Sequence, residues 1–242
     1  KDPFLRFPVN VDGHFLTVHE LFQNQELITI PIMTGVNNHE GGFVVADVSS
    51  VFFFFFFFCI CKGLLLDVLL AQEAAIRDLI LRNYIESGED RTRNRDGFTE
   101  FIGDYFFTIP AIKIANSHRA AVYLYEYHHA PTCLQKIRPS FVKCDHLDEI
   151  FMVLGYCFTT THEEEFSKIM MSYWGNFART GSPNGEGLVN WPKYGADEKY
   201  LSLDLKKQVS AQFLKKDNFL FLTKTLPEKI QKLEEKMEHS EL

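Results

Sequence analysis

The chain has 242 residues, of which 46% are hydrophobic and 14% aromatic, and its net charge at pH 7 is −7. This apolar content is sufficient for a buried core, so intrinsic disorder is excluded as a general description. The acidic balance argues against a nucleic-acid partner, because phosphate binding needs a basic face and no cluster of Lys and Arg residues provides one.

The first predicted element is a buried strand over residues 29–35, where β-branched and apolar side chains end at Gly35. The polar stretch 35–41 follows and contains Glu40. Open α/β sheets carry their chemistry just beyond the carboxyl ends of their strands. Glu40 is therefore a candidate functional carboxylate.

Seven consecutive phenylalanines, Phe52–Phe58, lie within the apolar segment 51–61. The segment is shorter than the roughly 18 to 20 residues that a membrane-spanning helix needs, so no membrane association is expected from it. It also lacks the periodicity of a helix or strand that buries one face. We interpret residues 51–61 as a low-complexity segment that is foreign to the natural protein, such as a translated intron end.

Two helices and a second strand are predicted next. Apolar residues recur at helical spacing over residues 64–86, and Gly88 supplies a stop. Another helical pattern, over residues 98–105, runs into Pro110 and resumes after it, which predicts a break or kink at the proline. The aromatic and β-branched residues 121–127 predict a strand.

The clearest predicted helix begins at Thr161, which forms a capping-box pattern with Glu164, and it ends at Gly181. A loop follows it, and residues 191–194 are expected to form a turn. The last element is an amphipathic helix over residues 226–237.

The five cysteines are an odd number and lack the CxxC spacing of zinc sites. Neither a metal site nor a closed disulfide framework follows from them, and at least one thiol must be free or paired elsewhere. No H-E-x-x-H pattern or phosphate-binding glycine loop occurs. No metal or cofactor is therefore expected.

A second polar stretch, residues 145–149, contains His146 about a hundred residues after Glu40. An acid followed by a histidine is the second and third part of the chain order Ser, Asp/Glu, His of α/β-hydrolases. The first part, a serine in a G-x-S-x-G elbow, does not occur in the chain. Residue types and order alone leave a structural or surface histidine as the alternative.

Apart from the phenylalanine run, nearly the whole chain resembles the C-terminal part of type B carboxylesterases, in the cholinesterase-like branch of the α/β-hydrolases. The resemblance implies the α/β fold class, with residues 1–242 forming the C-terminal part of one carboxylesterase domain, a mostly parallel sheet with flanking helices. Four ordered stretches carry it: Val11-Asp12-Gly13-His14-Phe15-Leu16, Gly35-Val36-Asn37-Asn38-His39-Glu40-Gly41, Asp145-His146-Leu147-Asp148-Glu149-Ile150-Phe151, and Trp174-Gly175-Asn176-Phe177-Ala178-Arg179-Thr180-Gly181-Ser182-Pro183-Asn184.

By this resemblance Glu40 is the acid and His146 the base of a serine-esterase triad acting on small-molecule esters through an acyl-enzyme. Asp148 and Glu149 support the histidine loop. The nucleophile would precede this chain, so the chain alone is expected to be inactive. Gly flanks the Asp-His pair in the family, whereas here Cys144 precedes it and Leu147 follows; a positive φ at either position would strain the loop.

The C-terminal residues 239–242, His-Ser-Glu-Leu, resemble the retention signals read by receptors of the endoplasmic reticulum. They imply a liver-type, luminal carboxylesterase with the retention receptor as a partner. The alternative is a non-catalytic cholinesterase-like module for binding or adhesion, because such modules often lack the nucleophile. The sequence upstream of the chain discriminates between these two functions.

Overall fold

The computed structural model describes residues 29–48, 74–85 and 90–240. Its centre is a four-stranded sheet in the order β1-β2-β3-β4, in which β1, β2 and β3 are parallel and β4 is antiparallel to β3. A mostly parallel sheet with flanking helices confirms the predicted α/β class. The strands are β1 Ile32–Asn37, β2 Val122–Tyr127, β3 Lys199–Leu203 and β4 Gln208–Gln212.

The described helices lie around this sheet and include two short π-helical turns, at Asp104–Thr108 and Phe221–Thr225. The α-helices are α1 Gly42–Val48, α2 Ala74–Tyr84, α3 Arg91–Gly103, α4 Ile109–Ser117, α5 Thr132–Gln135, α6 Asp148–Leu154, α7 Thr161–Thr180, α8 Lys216–Leu220 and α9 Leu226–Ser240.

The first two strands bring the two polar motifs to the same edge of the sheet. Strand β2 lies between β1 and β3, and all six of its residues are buried. Its register with β1 runs from Ile32 opposite Val122 to Asn37 opposite Tyr127. Since parallel strands end at the same edge, the loops after Asn37 and Tyr127 emerge side by side.

Strand β1 begins three residues later than predicted, because Thr29 and Ile30 lie exposed before the sheet. Strand β2 confirms the prediction for 121–127 within one residue. Strands β3 and β4 were not predicted. Their sequences contain lysine, serine and glutamine, and the two strands are defined by their pairing, of β3 with the buried strand β2 and of β4 with β3.

The predicted break at Pro110 takes the form of a π-helical turn just before it. The backbone N–H of Ile109 bonds to the carbonyl of Asp104, five residues earlier. Proline has no N–H, and its ring clashes with the carbonyl four residues before it in a regular helix. The wider turn relieves this conflict and lets the chain continue into α4 without a loop.

The predicted helix at 161 is confirmed, but its cap was assigned one residue too late. The N-cap is Thr160, whose hydroxyl accepts the N–H of Glu163 at 3.2 Å. Glu163 is fully buried, and its carboxylate also accepts the N–H of Thr132 at 2.8 Å. This contact holds α5 against α7, and Thr132 lies too far from Glu163 along the chain to be identified from the local capping pattern.

Trp191, predicted to lie in a turn, is a central core residue. It is 1% exposed, and its indole N–H donates to the carbonyl of Leu124 on β2 at 2.9 Å. Tyr173 of α7 packs against it edge-on, with ring centroids 5.2 Å apart. A tryptophan inside the core with its N–H satisfied anchors the loop after α7 to the sheet.

Several predictions concern residues outside the described part of the chain. They include the stretch 11–16, the phenylalanine segment 51–61, residues 64–73 of the predicted helix, Gly88 and the last two residues. The predicted helix over 64–86 is confirmed from Ala74 to Tyr84. Within the described ranges, no helix combines the length and apolarity needed to cross a bilayer.

The structure pairs Cys133 with Cys157 in a disulfide, with Cα atoms 6.0 Å apart, and leaves Cys144 free and buried. The sequence had left this pairing open. The closed loop spans a sequence separation of 24 and contains His146. The disulfide therefore fixes both ends of the segment that presents the histidine.

Replacing both cysteines, Cys133→Ser with Cys157→Ser, should lower the free energy of unfolding by about 3 kcal/mol, because the unfolded chain regains the entropy of an open loop of this length. Urea unfolding of the oxidised protein and the double variant measures the difference. Dithiothreitol should destabilise the parent protein similarly and leave the double variant unchanged. Equal stabilities of parent and variant would contradict the expectation.

Candidate active site

Glu40 lies in the turn between β1 and α1 and is 6% exposed. Its Oε1 accepts the backbone N–H of Asn37 at 2.8 Å. The turn lies directly on α3, since a Cβ at Gly41 would collide with the carbonyl oxygen of Thr99. The glycine after the acid is therefore required by this close approach to the helix backbone.

The histidine loop, residues 143–147, is held by an ion pair at the start of α6. Arg138 donates to both carboxylate oxygens of Asp148, at 3.0 and 2.7 Å. The same carboxylate accepts the N–H of Asp145 at 2.8 Å, and Asp145 in turn accepts the N–H of His146 at 2.8 Å. This chain of charge-assisted hydrogen bonds fixes the backbone of His146.

The two predicted site residues meet in space. Nδ1 of His146 donates to Oε2 of Glu40 at 2.7 Å, although the residues are 106 positions apart. An ionised carboxylate can only accept, so the hydrogen lies on Nδ1 and Nε2 is the nitrogen that can take up a proton. Burial raises the pKa of Glu40, and the hydrogen bonds from Asn37 and His146 oppose that rise.

Two aromatic rings flank the imidazole, which is about one third exposed. The ring centroid of Phe107 lies 4.5 Å from that of His146, and the centroid of Phe43 lies 5.6 Å from it. Phe107 belongs to the π-helical turn before Pro110. The proline therefore has a consequence at the site that the sequence did not reveal, because the turn it imposes presents Phe107 to the imidazole.

The two predicted supports of the loop are present, and a third residue was missed. Asp148 and Glu149 both contact the loop network, the latter by accepting from Nδ2 of Asn37 at 2.6 Å. Asn37 also donates to the carbonyl of Asp145 at 2.6 Å. Its position at the end of a strand, three residues before the acid, was the only sequence signal for this role.

His39, treated as structural or solvated in the sequence, lies between the two loops. Its Nδ1 accepts the backbone N–H of Lys143 at 3.3 Å. Burial, followed by the charge of Lys143, lowers the pKa of His39 from 6.5 to about 4. The imidazole is therefore neutral at neutral pH, which suits its role as an acceptor.

The histidine loop departs from the family pattern at two positions, Cys144 and Leu147, and the structure shows a different backbone conformation at each. Leu147 adopts the left-handed conformation with φ of 71°, so a side chain stands where glycine is favoured. Cys144 is not among the residues with positive φ, and its thiol is buried and donates to the carbonyl of Tyr127 at 3.3 Å. Of these two positions, only Leu147 is therefore strained.

A polar cavity of about 500 Å³ borders Glu40. Lys215 on its wall pairs with Glu100 at 2.6 Å and with Asp104 at 3.5 Å. These charges compensate one another rather than presenting a field of one sign. The described residues contain no group of three or more His, Cys, Asp and Glu side chains that could hold a metal ion.

The chain is similar to known proteins along nearly its whole length. The model of the carboxylesterase family matches residues 1–222. Acylcarnitine hydrolase of Mus musculus is 38% identical over 256 aligned positions, which cover 99% of this chain and 45% of that protein. Cocaine esterase of Homo sapiens is 38% identical over 258 aligned positions, which cover 99% of this chain and 45% of that protein.

Carboxylesterase 5A of Canis lupus familiaris is 39% identical over 233 residues, which cover 90% of this chain and 40% of that protein. The chain thus spans less than half the length of the relatives it matches.

Replacing Leu147 by glycine should raise the free energy of unfolding by about 1 kcal/mol, because relief of the left-handed strain exceeds the entropy that glycine gains when unfolded. The side chain is 49% exposed, so little burial is lost. Urea unfolding measures the change. The control is Leu154→Gly, at an exposed residue in the right-handed helix α6, and it should lower the free energy of unfolding by about 1 kcal/mol. A lower free energy of unfolding in Leu147→Gly would contradict the claim that Leu147 is strained.

The lowered pKa of His39 predicts a pH dependence of stability. The unfolded histidine takes up a proton near pH 6.5, whereas the folded one does so only near pH 4. The contribution of His39 is therefore complete above pH 6.5 and is lost as the pH falls towards 4. The free energy of unfolding should fall less steeply over this range in His39→Gln than in the parent protein.

The control for this titration is His162→Gln, because His162 is exposed on α7. It shows how much a histidine-to-glutamine replacement away from the two loops changes the slope, and the change in His39→Gln should exceed it. Equal slopes for His39→Gln and the parent would show that His39 titrates normally in the folded protein.

Proposed function

The chain belongs to the carboxylesterase family, and on that basis we propose that it supplies the acid and the histidine of a serine hydrolase that cleaves carboxylic esters through an acyl-enzyme. Its parallel sheet with flanking helices is the α/β-hydrolase arrangement. His146 acts as the base that activates the serine and then as the acid that protonates the leaving group. Glu40 orients the imidazole and stabilises its charged form.

One observation supports this proposal above the others, the 2.7 Å hydrogen bond from Nδ1 of His146 to Oε2 of Glu40. It selects the tautomer whose Nε2 is free to accept a proton from a nucleophile. The carboxylate is 6% exposed, so its interaction with a developing imidazolium is only weakly screened by water.

The nucleophile and the oxyanion-binding groups belong, in this proposal, to polypeptide outside the chain. No G-x-S-x-G elbow occurs among the 242 residues. The relatives are more than twice as long as the stretch that the chain matches. The chain alone is therefore proposed to lack esterase activity, and small-molecule esters are proposed as substrates of the complete enzyme.

We further propose residence in the lumen of the endoplasmic reticulum, through capture of residues 239–242 by a retention receptor. The Cys133–Cys157 disulfide supports an oxidising compartment, since such bonds are rare where glutathione keeps thiols reduced. The alternative of a non-catalytic binding module is less favoured, because such a module does not need an oriented acid–histidine pair.

A chimera tests the function. The N-terminal part of human cocaine esterase that precedes the matched region, joined to this chain, should hydrolyse p-nitrophenyl acetate. His146→Gln and Glu40→Gln should each lower kcat by about 10⁴-fold, because the first removes the base and the second leaves the imidazole in the wrong tautomer.

The matched controls are His162→Gln and Glu164→Gln, which change the same residue types on the exposed face of α7. Both should retain the activity of the chimera. An active chimera that tolerates His146→Gln would refute the role of this histidine. Covalent labelling of the isolated 242-residue chain by a fluorophosphonate would refute the proposal that the nucleophile lies outside this chain.

A further inference from the structure

Several hydrogen bonds join the end of β1 and the acid loop, residues 38–41, to the histidine loop and the start of α6, and two of them come from the side chain of Asn37. Besides the hydrogen bond between Glu40 and His146, the structure shows the long contact from Lys143 N–H to His39 and two short bonds from Asn37. Asn37 is the last residue of β1 and is 3% exposed. The side chain that joins the loops is thus fixed on a strand within the sheet.

Asn37 bonds directly to Glu40 and to one residue on each side of His146 along the chain. Its backbone N–H donates to Oε1 of Glu40 at 2.8 Å. Its Nδ2 donates to the carbonyl of Asp145 and to the carboxylate of Glu149, each at 2.6 Å. Asp145 precedes His146 directly and Glu149 follows it by three residues, so the amide holds the histidine from both sides.

The orientation of the amide follows from its partners. A backbone carbonyl and a carboxylate can only accept hydrogen bonds, so the nitrogen of Asn37 must face them. Both hydrogens of Nδ2 are then used, one of them in a charge-assisted bond to Glu149. Aspartate has the same shape but no donor, and leucine has neither donor nor acceptor, so asparagine alone among these side chains makes both contacts.

We infer that Asn37 is a positioning residue, whose side-chain amide fixes the histidine loop at the distance from which His146 bonds to Glu40. It touches no reacting atom and acts through the two loops. Its contribution to catalysis rests on the proposed function, whereas its effect on the geometry of His146 can be measured in this chain without any activity.

Asn38 provides a matched control at the next position. Its Nδ2 donates to Nδ1 of His128 at 3.0 Å, which ties the acid loop to the end of β2 and not to the histidine loop. Replacing Asn37 or Asn38 by aspartate is the same chemical change at adjacent positions. Only the first replacement removes the bonds that reach Asp145 and Glu149.

The experiment uses the 242-residue chain labelled with ¹⁵N-histidine and observes the downfield proton resonance of His146 Nδ1–H, assigned by its loss in His146→Gln. Asn37→Asp should broaden or abolish this resonance, because a carboxylate would face a carbonyl and a second carboxylate. Asn38→Asp should retain it. Retention in Asn37→Asp, or equal loss in both variants, overturns the inference.

A rescue separates positioning from general loss of structure. In the double variant Asn37→Asp with Glu149→Gln, the new amide at position 149 can donate to the new carboxylate at position 37, which restores one bond with its direction reversed. The resonance should return in part, and no return overturns the inference.

Should Asn37→Asp fail to fold, Glu149→Ala removes one of the two bonds from the partner side, at a residue that is only half-buried. Solvent exchange of the His146 Nδ1–H should then be at least tenfold faster, and unchanged exchange overturns the inference.

In the chimera with human cocaine esterase, Asn37→Asp should lower kcat by about tenfold to a hundredfold with little change in KM, since misplacing a base by about 1 Å affects the reaction more than binding. An inactive chimera would count against the proposed function alone, because the resonance of His146 decides the positioning role independently. A resonance lost with kcat unchanged would contradict the link between this geometry and catalysis.

Discussion

The site depends on one short hydrogen bond, which the partly exposed imidazole of His146 donates to the buried carboxylate of Glu40. A buried carboxylate is costly unless its oxygens are satisfied, and here one oxygen accepts from a backbone N–H and the other from the ring. Each loop is also held by contacts of its own. The acid loop lies on α3, and the ion pair of Arg138 with Asp148 orders the histidine loop.

The sheet makes this meeting possible. The register of β1 on β2 brings the end of β1 beside Tyr127, and the chain after Tyr127 leads to the histidine loop. The disulfide between Cys133 and Cys157 then closes the segment that contains His146. Parallel pairing brings the two loops to the same edge of the sheet, and the polar contacts of the loops set the distance between Glu40 and His146.

Two unfavourable local features occur beside the imidazole. Leu147 has a positive φ, and Pro110 imposes a π-helical turn that presents Phe107 to the ring. Strained or irregular backbone persists where the surrounding contacts over-determine it, and such places cluster at functional sites. The surrounding fold tolerates both features within a short distance of His146.

The sequence by itself determined the elements whose signals are local: the strand after residue 29, the helices with apolar periodicity, the break at Pro110 and the two motifs with Glu40 and His146. It did not determine strands β3 and β4, the core position of Trp191, the disulfide pairing, the cap at Thr160 or the bridging amide of Asn37. Each of these is defined by a partner distant along the chain or by a choice between neighbouring residues. Composition and spacing record which groups can bond, whereas only the tertiary structure decides which of them come within 3 Å of each other.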